Sequence, residues 1–345
     1  MRESLIQFVR QEIIPRYDAF DKGHGRDHVL AVIEQGEYLS RFYDVDPEII
    51  YTACACHDLG IRDGREFHHL SSGKIIRGEL DLSPWFSPEQ IETIAQAAED
   101  HRASSDHEPR SIYGKIVAEA DRQIIPETVI LRTVQFGFRH YPGLGREEQW
   151  ARTVEHLEEK YAEGGYLRLW IPESPNAARL ETLRKMIGDK EALRARFDAI
   201  YKDELYQDIY RQAEALLDGE DDPIGKMSNL AAILHRAFGF WWTGFYRTAG
   251  DELILGPFQG PVACMHIPFG KGVCGSAWKA GKAIVVPDVE QFPGHIACSN
   301  ESRSEIVVPV WKDGSITAVL DIDSERPATF DETDRTWLER IVGLI

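Results

Sequence analysis

The spacing of apolar residues changes partway along this chain of 345 residues, and this change limits the folds that the chain can adopt. Up to about residue 200 the apolar residues recur at helical intervals, as in Ile91, Ile94, Ala95 and Ala98. After about residue 240 they form short β-branched and aromatic runs separated by glycine and proline. The sequence therefore predicts two domains of different class, with an almost entirely α-helical domain first and a sheet-containing domain second.

The boundary between the two domains is predicted near residue 202, which gives domains of residues 1–202 and 203–345. The charged stretch from Arg179 to Lys202 is predicted to be one amphipathic helix that closes the first domain. Helices over Leu205–Leu217 and Met227–Phe238 are assigned to the second domain. The strands are predicted at Trp241–Tyr246, Glu252–Leu255, Ala283–Pro287, Ile306–Val310 and Ile316–Ile322.

The formal net charge of −18 disfavours general binding to nucleic acid or to an anionic membrane surface, because phosphate groups are repelled by it. The chain has no apolar stretch long enough to span a membrane, and its N-terminus does not resemble a secretory signal. Five cysteines are too few for a secreted disulfide scaffold. We therefore expect a cytoplasmic protein whose thiols are reduced unless they take part in chemistry.

Three of the cysteines, Cys264, Cys274 and Cys298, cluster in the second half, where the sequence places them on loops beside the sheet. Separations of ten and 24 residues do not fit the usual ligand pairs of a zinc site. Two interpretations remain open from the residues alone: a redox pair, in which one thiol attacks and a second resolves the sulfenic acid, and scattered thiols with no chemical role.

An ordered set of motifs accompanies these cysteines over roughly residues 203–345. They are Trp242–Tyr246 (WTGFY), Leu255–Gly260 (LGPFQG), Cys264, Gly272–Gly275 (GVCG), Gly294–Cys298 (GHIAC), Ser304–Pro309 (SEIVVP) and Val319–Ser324 (VLDIDS). This set closely resembles the GAF-type free methionine-(R)-sulfoxide reductases. The resemblance implies an α/β GAF domain with a central antiparallel sheet and no cofactor, acting on free methionine-(R)-sulfoxide.

The resemblance also implies roles for the three cysteines. Cys298 is expected to take the sulfoxide oxygen as a sulfenic acid, and Cys264 to resolve it to a disulfide that thioredoxin reduces. Cys274 is expected to be an accessory or alternative thiol, so which of Cys264 and Cys274 resolves first stays open.

Three carboxyl groups and two aromatic rings complete the site that the resemblance implies. Glu305, Asp321 and Asp323 are expected to bind the ammonium and the sulfoxide, while Trp242 and Tyr246 line the methyl side. Asp321 and Asp323 alternate along one strand, so they share a face, and a buried carboxyl kept partly neutral is a suitable acid for the sulfoxide oxygen. The alternative is a solvated strand end for the carboxyl groups and a core position for the aromatic rings.

In the first half, seven of the chain's 12 histidines lie between residues 24 and 107. The ordered set His28, His57-Asp58 and Asp121 resembles the HD-domain metal-dependent phosphohydrolases over roughly residues 20–200. Imidazole and carboxylate are suitable ligands for a divalent ion of the Mn, Mg, Fe, Co or Ni class. The resemblance implies that these four residues bind the metal and that the substrate is a nucleotide or another phosphorylated small molecule.

Two further positions, His69 and His101, fall where binuclear members of that family carry extra ligands, so a two-metal site with Asp58 bridging is expected. The pair His68-His69 leaves open which ring coordinates, and His69 is favoured because Gly73 follows it four residues later. Basic residues near the ligands in sequence are candidates for binding phosphate oxygens: Arg62, Lys74, Arg102 and Arg122.

The sequence thus predicts a methionine sulfoxide reductase joined to a metal-dependent phosphohydrolase. The alternative is a GAF domain that binds a small molecule, or senses oxidants through Cys264 and Cys298, and regulates the hydrolase. The helix Leu205–Leu217 is a candidate for pairing two chains as a homodimer.

Overall fold

The computed structural model describes the chain apart from residues 22, 106 and 297–300. It divides into two compact units, residues 1–197 and residues 198–345. The first unit is helical and the second is built around an antiparallel sheet, which confirms the predicted fold class. The assignment of residues 1–202 and 203–345 as functional domains stays a prediction.

Helices form the first unit, and a long helix that begins in it continues into the second. Short π and 3-10 segments lie at Val9–Ile13, Ile14–Ala19 and Leu59–Asp63. The α-helices are α1 (Glu3–Phe8), α2 (Arg26–Ser40), α3 (Pro47–Cys56), α4 (His68–Gly78), α5 (Pro88–Glu99), α6 (Ile112–Asp121), α7 (Pro126–His140), α8 (Arg146–Tyr161), α9 (Asn176–Gly188) and α10 (Lys190–Leu217).

Helix α3 is the central element of the first unit. Pro47 occupies its first turn, and the Asp46 side chain accepts a hydrogen bond of 2.9 Å from the backbone N–H of Glu48, which caps the helix. Every residue from Ile49 to Cys56 is buried, against α2, α5 and α6. The chain leaves this buried helix at His57, so the side chains that follow begin in the interior of the unit.

The turn after α3 lies directly against the start of α4. A Cβ atom at Gly60 would overlap the carbonyl oxygen of His68, so only glycine permits this approach. The Gly60 backbone N–H also donates a hydrogen bond of 2.9 Å to Ser72 Oγ. This contact holds His68 close to Asp58, which immediately precedes the turn.

The charged stretch from Arg179 to Lys202 is not one helix as predicted. Helix α9 ends at Gly188, and Asp189 leaves the helical conformation with ψ at 86°. The Asp189 side chain then accepts a hydrogen bond of 3.0 Å from the N–H of Ala192, which starts α10. None of the helices in the described part of the chain, α10 included, is long and apolar enough to cross a membrane.

The second unit contains a six-stranded sheet in which every neighbouring pair is antiparallel, in the order β3-β2-β1-β6-β5-β4. The strands are β1 (Trp242–Ala249), β2 (Glu252–Gln259), β3 (His266–Pro268), β4 (Ile284–Val286), β5 (Ser304–Lys312) and β6 (Ser315–Ser324). Its helices, besides the end of α10, are α11 (Pro223–Phe238), α12 (Gly272–Ala280) and α13 (Glu332–Val342).

Each face of this sheet has its own core, because successive side chains of a strand point to opposite faces. On β6, Leu320 and Ile322 belong to the core that includes residues of α11 and α13. Val319 belongs to the opposite core, which includes residues of α12. The alternation places Asp321 and Asp323 on the same face as Val319.

Candidate functional site

A pocket of about 580 Å³ lies on the α12 side of the sheet in the second unit. Strands β1, β5 and β6 supply its floor, and the segments before α12 and before β5 supply its rim. Its lining includes the predicted substrate residues Trp242, Tyr246, Glu305, Asp321 and Asp323, together with Trp241, Cys274, His295 and Ser302. The structure therefore brings the five predicted substrate residues into one pocket.

The three carboxyl groups form a buried cluster and not a solvated strand end. Glu305 on β5 is paired directly with Asp323 on β6, and Asp321 lies two residues further along β6. Glu305 and Asp321 are each 6% exposed. Asp323 is half-buried, and β5 and β6 are both inner strands of the sheet.

Few polar contacts from the described residues neutralise the cluster. Ser302 Oγ donates a hydrogen bond to Asp323 Oδ1, and His295 Nε2 lies 3.7 Å from Glu305 Oε2. The thiol of Cys274 lies 4.0 Å from Glu305 Oε1. Asp321 Oδ1 is buried and has no hydrogen-bond partner among the described residues. Among the described residues that line the pocket, none is an arginine or a lysine.

Burial and mutual repulsion keep protons on these acids. Burial, together with the charges of its two neighbours, raises the pKa of Glu305 well above its ordinary value. Burial and the charge of Asp323 do the same to the pKa of Asp321, and burial raises the pKa of Asp323 to about 6. The cluster therefore keeps protons to a higher pH than exposed carboxyl groups do.

An aromatic wall stands beside the acids. The rings of Trp242 and Tyr246 are stacked with centroids 5.8 Å apart, and Trp242 also stacks on Phe258 at 5.5 Å. Trp242 Nε1 donates a hydrogen bond of 3.2 Å to the carbonyl oxygen of Pro261, which fixes the indole. One side of the pocket is thus apolar and the other acidic.

The structure corrects the predicted loop position of Cys274. The glycine-rich turn is only the entry to α12: Gly272 adopts φ +61° at the start of the helix, and Cys274 lies within it as a free thiol that is 3% exposed. Burial, followed by the charges of Asp321 and Glu305, raises its pKa well above the ordinary value. Cys274 is therefore a neutral thiol against the acids, not an exposed nucleophile.

The other two predicted cysteines are Cys264 and Cys298. Cys264 is half-buried between Pro261 and β3, and it is disulfide-bonded. Cys298, to which the resemblance gives the role of nucleophile, lies outside the described residues.

A second cluster lies in the first unit, where histidine rings surround Asp58. Asp58 Oδ2 is 3.3 Å from His57 Nε2 and 3.6 Å from His28 Nε2. Asp121, at the end of α6, places Oδ1 3.1 Å from His28 Nε2 and 3.6 Å from His57 Nε2. These four residues, predicted as metal ligands, come together around one point.

The other oxygen of Asp58 faces a second pair of rings. His68 Nε2 and His101 Nε2 are each 3.4 Å from Asp58 Oδ1 and 3.0 Å from each other. His68 thus occupies the position for which His69 was predicted. Because successive helical residues point about 100° apart, only one of the two neighbours can face Asp58. His69 lies beside Glu99 and His107 instead.

Hydrogen bonds to the backbone fix how these rings face the centre. The Nδ1 atoms of His57, His68 and His101 lie 2.8, 2.7 and 2.5 Å from the carbonyl oxygens of Cys54, Arg65 and Ala98. A carbonyl oxygen only accepts, so each Nδ1 carries a proton, and each ring presents its Nε2 atom to the centre of the cluster. The Nε2 atoms of His68 and His101 lie 3.0 Å apart, which is close enough for both to contact one divalent ion.

The carboxylates of Asp58 and Asp121 attract positive charge to this centre. Burial lowers the pKa of His57, but Asp58 and Asp121 outweigh burial and raise it to about 10. Asp58 Oδ1 is buried without a hydrogen-bond partner among the described residues. Imidazole and carboxylate groups together are suitable ligands for divalent ions. The two oxygens of Asp58 place it to bridge two such ions.

Exchanging His68 for alanine is expected to lower the metal content of the purified protein, whereas His69→Ala is expected to leave it unchanged. The physical reason is that only the His68 ring faces Asp58. Elemental analysis of the two variants and the parent protein, each loaded with Mn²⁺ and desalted, measures the metal per chain. Equal loss in both variants would contradict the assignment of His68.

Sequence reasoning missed three residues of the acidic pocket as well as His68. Ser302 and His295 contact the acids, and Trp241 lines the rim. Ser302 lies three residues before Glu305, just ahead of β5, and this nearness was a weak signal that Ser302 belongs to the pocket. Nothing local in the sequence marked Trp241 as a pocket residue, whereas His295 lies within the Gly294–Cys298 motif that carries the family resemblance.

The two units correspond to two known domain families. A model of the HD domain matches residues 25–123, which include His28, His57, Asp58 and Asp121, and a model of the GAF domain matches residues 228–345. Fold and sites together define a protein that combines an HD domain with a GAF domain.

Curated relatives of the second domain specify its family. The chain is 50% identical over 145 residues to GAF domain-containing protein A of Dictyostelium discoideum, which covers 42% of this chain and 92% of that protein. It is 42% identical to the free methionine-R-sulfoxide reductases of Saccharomyces cerevisiae (42% of this chain, 85% of the relative) and Escherichia coli (41% and 87%). Through its GAF domain, the chain belongs to the free methionine-R-sulfoxide reductase family.

Proposed function

We propose that the GAF domain reduces free methionine-(R)-sulfoxide to methionine with electrons from thioredoxin. The observation that carries this proposal is the buried acidic cluster of Glu305, Asp321 and Asp323 facing the aromatic wall of the pocket. The cluster suits the protonated amino group and the sulfoxide oxygen of such a substrate, and the wall suits its methyl group. The relatives named as free methionine-R-sulfoxide reductases support the assignment.

The proposed reaction has three balanced steps. The sulfur of Cys298 attacks the sulfoxide while a cluster carboxyl protonates the oxygen, which yields methionine and a Cys298 sulfenic acid. The thiol of Cys264 then displaces water from that sulfenic acid and forms a disulfide. Thioredoxin reduces the disulfide by dithiol exchange and returns both thiols.

The state of the cluster suits the first step. A sulfoxide gives up its oxygen readily only when that oxygen is protonated, and the raised pKa values of Glu305 and Asp321 keep a proton available at neutral pH. Cys274, neutral and 4.0 Å from Glu305, fills the base of the pocket. We therefore assign Cys274 an accessory role and not that of the attacking thiol.

For the HD domain we propose metal-dependent hydrolysis of a phosphorylated small molecule or nucleotide. His28, His57, Asp58 and Asp121 would hold one divalent ion, and Asp58, His68 and His101 a second. Such ions supply positive charge at the phosphate and an activated water. The backbone carbonyls of Cys54, Arg65 and Ala98 keep three of the rings oriented for this task.

A coupled assay with thioredoxin, its reductase and NADPH tests the reductase proposal. Free methionine-(R)-sulfoxide is expected to support turnover, and the free (S) epimer and a peptide-bound sulfoxide are not, as the similarity to free methionine-R-sulfoxide reductases implies. Cys298→Ser is expected to abolish turnover, since a hydroxyl does not form the sulfenic acid. Cys54→Ser, a buried free cysteine of the other unit, is the matched control and should retain it.

The same assay separates the reductase from the sensor interpretation. A sensor would oxidise once without continued NADPH consumption, whereas the reductase cycles. A cytoplasmic location, where thioredoxin keeps thiols reduced, is part of this proposal.

A further inference from the structure

Arg122 of the first unit is buried, and two of its nitrogens have no partner among the described residues. It follows the ligand Asp121 directly, it is 6% exposed, and its Nε and Nη1 atoms have no hydrogen-bond acceptor among the described residues. An arginine is almost never buried without a partner, because removing its charge from water is costly. The position therefore calls for an acceptor that comes from outside the chain.

Arg122 lines a cavity of about 570 Å³ in the same unit. A second orphan donor lies in the same wall: Trp170 Nε1 is buried and has no acceptor in the described part of the protein. The lining also includes the basic or hydroxyl-bearing side chains of Arg102, Ser105, His107, Tyr166 and Arg168. Buried donors of two residues thus adjoin one space, and further donors surround it.

The acidic groups near this cavity are already engaged. Asp100 accepts hydrogen bonds of 2.7 and 2.9 Å from the backbone and side chain of Arg110, and Glu108 pairs with Lys115 at 2.5 Å. Glu119 accepts from the backbone N–H of Trp170 at 2.8 Å and from Asn176 at 3.0 Å. Among the residues that the structure describes, the carboxylates around the cavity therefore satisfy other groups, and the Arg122 donors have no acceptor.

We propose that this cavity is an anion subsite that binds a phosphate group of the HD-domain substrate through Arg122, with Trp170 and Arg168 as further donors. The inference rests on the proposed phosphohydrolase function, because two residues of the cavity lining, Arg122 and Asp100, are the direct sequence neighbours of the candidate metal ligands Asp121 and His101. A guanidinium presents paired donors that match phosphate oxygens. The substrate class is accordingly a phosphate ester whose phosphate enters beside the metal centre.

Inorganic phosphate is the probe for this subsite. The full chain is titrated with phosphate in the presence of a chelator, at constant ionic strength, and binding is followed by the ³¹P line width. Saturable binding is expected, weakened roughly tenfold to 100-fold in Arg122→Gln through loss of a charged hydrogen-bonding group. Arg335→Gln is the matched control, because Arg335 lies in the second unit and already pairs with Glu332.

Arg168→Gln is a second test variant, which is needed if Arg122→Gln does not fold. Arg168 is exposed, so its replacement does not disturb the core. It is expected to weaken phosphate binding severalfold with an unchanged melting temperature. Equal phosphate binding by the parent, Arg122→Gln and Arg168→Gln proteins would overturn the subsite, as would the absence of saturable binding. If phosphate binds as expected but no phosphate ester is hydrolysed with metal present, the hydrolase proposal fails and the anion subsite stands.

Discussion

Asp58→Asn is expected to remove most bound metal and to abolish phosphate ester hydrolysis by the HD domain. Asp58 is 2% exposed, and its two oxygens face two different groups of histidines, so one substitution weakens both candidate ion positions. Asparagine keeps the volume but loses the charge that offsets two cations. Substitution of a residue that only supports a metal ligand lowers metal affinity about 10-fold to 100-fold. Substitution of the bridging ligand itself should lower the affinity further.

Elemental analysis and thermal unfolding with and without Mn²⁺ measure this effect. A ligand present at 100 times its dissociation constant stabilises the folded state by about 2.7 kcal/mol, and this metal-dependent gain should vanish in the variant. Asp63→Asn, an exposed acid at the end of the next turn, is the matched control. Full metal content in Asp58→Asn would mean that the ions are held elsewhere.

Asp323→Asn is expected to stabilise the GAF domain at pH 8 while lowering reductase turnover by roughly 100-fold or more, the range typical of a lost acid–base group. Burial raises the pKa of Asp323 from 3.8 to about 6, a shift of about two units. At 1.36 kcal/mol per unit, a carboxylate forced to ionise there costs on the order of 3 kcal/mol. The amide of asparagine carries no such cost and still accepts from Ser302.

The sign of the pH dependence follows from linkage. Between the ordinary pKa of about 3.8 and the folded value of about 6, the folded state binds more protons than the unfolded state, so the free energy of unfolding falls as pH rises through this window. The advantage of the variant should therefore be absent near pH 3.5 and nearly complete above pH 7. Calorimetry of the full chain across this range measures it.

Glu332→Gln is the matched control for this experiment. Glu332 is an exposed carboxylate paired with Arg335, whose hydrogen bond lowers its pKa, so its replacement should give no gain at pH 8. A variant curve for Asp323→Asn that runs parallel to the parent curve at every pH would show that Asp323 is ionised without penalty, and would contradict its raised pKa.

These two predictions describe opposite uses of buried charge. In the GAF pocket, Glu305, Asp321 and Asp323 lack a lysine or arginine among the pocket-lining residues and therefore hold protons. In the HD cluster, Asp58 stands among histidines, and burial is outweighed by their charge, so its pKa lies well below the ordinary value. One arrangement suits donation of a proton, and the other suits binding of cations.

Local sequence patterns determined the class of each domain and most of the site residues. The helical period over the first half and the β-branched runs after residue 240 are properties of neighbours in sequence, so they can be interpreted without a structure. The period of two along β6 placed Asp321 and Asp323 on one face in the same way. The ordered histidine and cysteine motifs carried the two family resemblances.

Tertiary structure alone decided how far those side chains are buried and which of them meet. Whether His68 or His69 faces Asp58 depends on the rotation of α4, which the close approach at Gly60 fixes across the chain fold. The buried position of Cys274 and the orphan donors of Arg122 depend on packing between segments distant in sequence. Sequence specifies the chemical groups, whereas burial and the distances between groups, which set their pKa values and partners, arise only when the elements pack.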